Sequence, residues 1–77
     1  VKSPEKLVYM ANQIAKFFAH EGEEKAAASV ADHLRKYWDP RMRAQFISEA
    51  PAMAEALLPA ARGAAGLLAK KAAAPKP

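Results

Sequence analysis

The chain predicts an all-α fold, a small bundle of three to four short helices with a mobile alanine-rich C-terminal segment. Three observations predict it. Apolar residues recur at three- and four-residue spacing, two cap-plus-proline pairs start helices, and alanine makes up much of an apolar fraction of 52%. Seventy-seven residues hold at most one domain, read as residues 1–74 followed by a disordered tail at 75–77. A chain of this size buries only roughly 60–65% of its unfolded surface. Cysteine is absent, which excludes a disulfide framework, a thiolate metal site and thiol chemistry. Stability then rests on apolar packing or on a partner.

Ser3 and Pro4 form the first cap signal, an N-cap hydroxyl ahead of a proline whose missing N–H is no loss in the first turn. Leu7, Met10, Ala11, Ile14, Phe17 and Phe18 follow as one stripe with Tyr9 near its edge. Gly22 is the expected left-handed C-cap, and Glu23 and Glu24 suit the positive end of a second helix. That helix presents Ala27, Val30, Ala31, Leu34 and Trp38, small residues against which the first helix is expected to lay its aromatic side chains. Arg35 and Lys36 sit near its C-terminal end, where positive charge is favoured.

Asp39 and Pro40 repeat the logic of Ser3 and Pro4, so the chain turns at Trp38 and restarts as a third helix to about Glu49. Met42, Phe46, Ile47 and Ala50 are its expected contacts. Arg41 and Arg43 fall at the positive end of that helix, a locally unfavourable placement that points to a role elsewhere. Pro51 and Pro59 divide the remainder into a short segment with Met53, Leu57 and Leu58 and a longer one with Leu67 and Leu68. The stretch from Ala60 to Ala74 carries few large apolar residues, so it is expected to pack weakly and to stay mobile until something docks on it.

Charge is unevenly spread. Residues 1–34 hold four lysines against five acidic residues, whereas residues 35–77 hold eight basic against three acidic. This basic second half suits an acidic protein, nucleic acid or a membrane surface alike. No apolar run approaches the roughly 20 residues of a membrane span and no secretory leader opens the sequence, so the expected location is cytoplasmic, without a membrane. His20 and His33 lie on different predicted helices without a metal or triad spacing, and no phosphate-binding glycine pattern is present. The expectation is a non-enzyme with no cofactor and no metal. As a nucleic-acid reader the third helix offers only a thin base-reading set in Arg41, Arg43, Gln45, Ser48 and Glu49.

A protein-interaction role fits more of the chain. Tyr37, Trp38, Arg41, Met42 and Arg43 gather within seven residues the four side-chain types enriched at interface centres. The plainer reading is that Trp38 closes the core at the helix junction with the arginines solvated around it. Asn12 and Gln13, two amides in an apolar-periodic helix, are either solvated or paired across a contact, and the residues alone favour solvation slightly.

Two ordered motifs carry a resemblance. K-L-V-Y-M-A-N-Q-I-A-K-F-F from Lys6 to Phe18, followed by A-D-H-L-R-K-Y-W-D-P-R-M-R from Ala31 to Arg43, closely resembles the delta subunit of soluble NAD-dependent formate dehydrogenases. The resemblance covers residues 5–49 well and the alanine-rich remainder loosely. It implies a non-catalytic accessory subunit of a cytoplasmic molybdenum or tungsten enzyme, free of redox centres. The implied partner is the larger catalytic subunit, whose assembly or stability this chain would support. Carried over by resemblance as partner-binding residues are Tyr37, Trp38, Asp39, Pro40, Arg41, Met42 and Arg43, with Asn12 and Gln13 from the first motif. The alternative is a free-standing helical module that pairs with a second copy as a homodimer. A small basic nucleic-acid binder stands behind both.

Overall fold

The computed structural model describes residues 3–73, which form four α-helices and two single-turn 3-10 helices without a strand among them. Helix α1 spans Pro4–Phe18, α2 Glu23–Tyr37, α3 Pro40–Glu49 and α4 Pro59–Ala73, with 3-10 turns at Ala19–Glu21 and Ala54–Ala56. The all-α bundle expected from the sequence is therefore observed. The tail expected at 75–77 lies outside the described residues.

Helix α1 starts as its cap signal dictates, with the Ser3 hydroxyl accepting the Lys6 N–H at 3.3 Å and Pro4 in the first turn. It buries Leu7, Val8, Ala11 and Ala15, with Met10, Ile14 and Phe18 half-buried beside them. Phe17 departs from the expected stripe: it is 72% exposed. At 100° per residue it lies roughly 120° around the helix from the centre of the buried face, while Val8 and Ala15 fall on that face instead. Gly22 does take a positive φ, 91°, but with ψ at 155° it is extended and not left-handed helical. Glycine alone occupies that region comfortably, and the conformation lets α2 begin directly after the 3-10 turn.

The largest correction concerns α4. The alanine-rich segment packs closely, burying Ala60, Ala61, Ala64, Ala65 and Leu68, and its contact with α2 is the most extensive in the fold. Gly63 explains the closeness, because a Cβ built there would lie 2.8 Å from the Ala27 Cβ. The small residues of α2 admit the backbone of α4, not the aromatic side chains of α1. Ten of the eighteen buried apolar residues among those described are alanine, so close backbone approach replaces large side chains as the means of excluding water. Leu7, Val30, Leu34 and Phe46 are the largest fully buried side chains, each worth about 1.5–3 kcal/mol of transfer free energy.

Candidate functional site

The α2–α3 junction is built from the inside outward. Trp38 ends α2 in an extended conformation, its N–H bonded to the Leu34 carbonyl at 3.0 Å, and its ring is buried edge-on against Phe46 with centroids 5.7 Å apart. The restart follows at once. Asp39 Oδ1 accepts the N–H of Arg41 at 2.7 Å and of Met42 at 3.0 Å, satisfying two donors that α3 cannot use internally. These bonds, the one from Met42 first, hold the Asp39 carboxyl below the ordinary aspartate value against an opposing effect of desolvation; the Arg41 and Arg43 charges help.

Arg43 is not spent on its own helix. Its Nη1 donates to the carbonyls of Arg35 and Trp38, both at 3.0 Å, so a cation closes the C-terminal end of α2. The placement that is awkward for α3 is favourable for α2, whose last carbonyls carry the negative end of the helix dipole. Met42 is half-buried against the core. Of the junction residues, Trp38, Met42 and Arg43, with the exposed cap Asp39, thus hold the turn, whereas Tyr37, Pro40 and Arg41 are exposed without a part in it.

Asn12 and Gln13 separate in the same way. Asn12 Nδ2 donates to the Ala56 carbonyl at 2.8 Å and its Oδ1 accepts the Leu58 N–H at 2.9 Å, an internal bridge where the residues alone favoured solvation. Gln13 is exposed. Arg62, which sequence reasoning passed over, holds the same segment from the other side, donating to the carbonyls of Ala54 and Leu57 at 3.2 Å each. No local pattern around Arg62 announces that role.

A second feature also escaped the sequence reading. Phe17, Phe18, His33 and Tyr37 form a ladder of ring contacts across the ends of α1 and α2, with successive centroids 5.1, 6.3 and 4.7 Å apart. The spacing of His33 and Tyr37, four residues apart on one helix, was the available signal. Beside the ladder, Asp32 pairs with Arg35 at 2.8 Å and with Lys36 at 3.1 Å. The Lys36 bond, then the Arg35 bond, keeps the Asp32 carboxyl below its ordinary value.

The surface carries several open depressions. One of about 300 Å³ is lined mainly by alanines with Leu58 and Pro59, and only Lys16 and Glu23 bring charge to it. Among the described residues no group of three or more His, Cys, Asp or Glu side chains could hold a metal, and no helix is long and apolar enough to cross a membrane. What the chain does display is a hydrogen-bonded joint with a neighbouring exposed aromatic face.

A family model described as "NADH-dependant formate dehydrogenase delta subunit FdsD" matches residues 6–65, which takes in the junction, the ring ladder and the Asn12 bridge. No curated protein and no solved structure matches the chain.

Proposed function

The chain belongs to the formate dehydrogenase delta-subunit family, and on that premise we propose that it is a non-catalytic accessory subunit of a cytoplasmic NAD-dependent formate dehydrogenase. It binds the larger catalytic subunit, which would carry the molybdenum or tungsten centre, and supports assembly or stability of the complex. The observation that carries this reading is the division of labour at the α2–α3 junction. Trp38, Asp39, Met42 and Arg43 fix the turn by burial, capping and hydrogen bonds, and Tyr37, Pro40 and Arg41 stand outward on it. A joint that is rigid before binding loses little conformational freedom on docking, which favours affinity at small contact area. Gln13, exposed on α1, belongs to the proposed contact residues, while the Asn12 amide is engaged within the chain.

The contribution to the enzyme is by linkage. A subunit that binds only the folded partner stabilises it by about 2.7 kcal/mol when present at 100 times its dissociation constant. No residue of this chain acts on formate in that scheme. The test is co-expression of the catalytic subunit with and without this chain. Co-purification and a several-fold larger yield of assembled enzyme are the expected result. Equal yield and no co-purification would remove the reading.

A further inference from the structure

We propose that the outer face of the α2–α4 seam pairs with a second copy of this chain, about a two-fold axis that sets α2 against α2 and α4 against α4 in opposite directions. The pairing stands apart from the accessory-subunit reading and does not use Tyr37, Pro40 or Arg41. Pro59 and Ala60 of α4 lie with Glu23 and Ala26 of α2, and Gly63 meets Ala27, so the two helices run the same way with residue 63 level with residue 27. An open groove of about 530 Å³ follows the seam, with Glu24, Lys25 and Ala28 on one side and Gly63 and Leu67 on the other.

This face carries both a knob and a hole. Leu67 is 45% exposed, while Ala27, Ala28 and Gly63 leave the floor of the groove without large side chains. An antiparallel copy centred on residue 65 sets each Leu67 over the Gly63 of the other. The charges obey the same centre. Glu24, Ala28 and Arg35 share one stripe of α2, with acid at its N-terminal end and base at its C-terminal end. Their centre, between residues 29 and 30, lies within about 1 Å of the level of residue 65, at 1.5 Å of rise per residue.

A copy placed by its leucine therefore brings Arg35 over Glu24 twice, and Ala28 over Ala31. Lys70, on the Leu67 side of α4, approaches the same carboxylate, and Lys25 comes near Asp32 of the other copy. Among the described residues neither Glu24 nor Lys70 has an ion pair within the chain, and Arg35 gives Asp32 only its Nη2, keeping further N–H donors. An unrelated helix needs no such symmetry. A face whose knob and hole, and whose acid and base, are exchanged by one axis is complementary to itself.

The experiment is sedimentation equilibrium of the full chain from about 5 μM to about 0.5 mM, where wild type is expected to pass from monomer to dimer. Leu67→Asp is expected to keep its helix content and to dimerise at least about tenfold more weakly. Glu24→Lys and Arg35→Glu are each expected to weaken self-association at least about threefold at low salt, because like charges then face each other. Mixed in equal amounts, these two variants are expected to form a heterodimer in preference to either homodimer, since the mixed pair again sets acid against base at both contacts; native mass spectrometry reads the species. A wild-type chain that stays monomeric throughout would overturn the proposal, as would a dimer indifferent to Leu67→Asp. Statistical mixing of two folded charge variants would also overturn it. Should a charge variant lose helix content, Leu67→Asp alone decides, because that side chain lies outside the buried core. A monomeric wild type whose co-purification with the catalytic subunit is lost in Leu67→Asp would give the seam to that subunit instead.

Discussion

The α2–α4 seam and the α1–α2 edge distribute side-chain size in opposite ways. At the seam the buried residues are small, with Gly63 set against Ala27 and alanines on both helices, whereas at the edge Phe17 and Tyr37 stand largely in water. The usual arrangement would bury the rings and expose the alanines. The difference teaches that burial here follows how closely two backbones can approach and not the apolar area of the side chain. Burial is concentrated where atoms are few but tightly placed, and the most exposed large apolar side chains lie at the edge.

The sharpest test makes one substitution in two settings. Phe46→Ala, at a residue 1% exposed, is expected to cost about 3–5 kcal/mol, a large part of the total stability of a chain this size. Phe17→Ala is expected to cost less than about 0.5 kcal/mol. Urea titration of both reads the contrast, and a cost above about 1 kcal/mol for Phe17 would break it by making the edge part of the core.

A second pair works within α4 alone. Gly63→Ala gains about 1 kcal/mol of helix propensity but drives a methyl into Ala27, and overpacking of about 1–3 kcal/mol outweighs the gain. Gly66→Ala meets nothing within 4 Å and is expected to stabilise by about 0.5–1 kcal/mol. Opposite signs in thermal denaturation sharpen the picture of the seam. Two stabilising results would mean that the helices separate freely and that close approach is not what holds them.

The smallest effect concerns acid. No polar or charged residue is buried among those described, so the seam does not titrate, whereas Asp32 and Asp39 at the edge and junction are both held below the ordinary aspartate value. A carboxylate depressed in the folded chain stabilises it fully above its unfolded value, and that stabilisation is lost as pH falls through the folded value. The melting temperature is therefore expected to decline below about pH 4, and Asp32→Asn with Asp39→Asn to flatten the decline. An acid limb of unchanged slope in the double variant would mean these carboxylates leave the fold indifferent to pH.

Local grammar made much of this legible. Ser3–Pro4 and Asp39–Pro40 marked two helix starts because capping depends on a residue and its next three neighbours. The turn at Trp38 followed from the same rule. Phe17 was misplaced because the apolar stripe was drawn too wide by one residue, an error of position around the helix and not of helix itself. The seam was not legible, since alanine in a sequence reads as helix propensity and says nothing of the distance to another helix. Arg43 and Asn12 were read as outward or solvated for a related reason. Their partners lie 8 residues away at Arg35 and 44 away at Ala56, beyond the reach of any local pattern.

The block W-D-P-R-M-R, from Trp38 to Arg43, spends four of its six side chains on its own turn. The turn between α2 and α3 is thus held by the chain's own side chains. Phe17 and Tyr37 lie outside it, so substitutions there are expected to leave the joint intact.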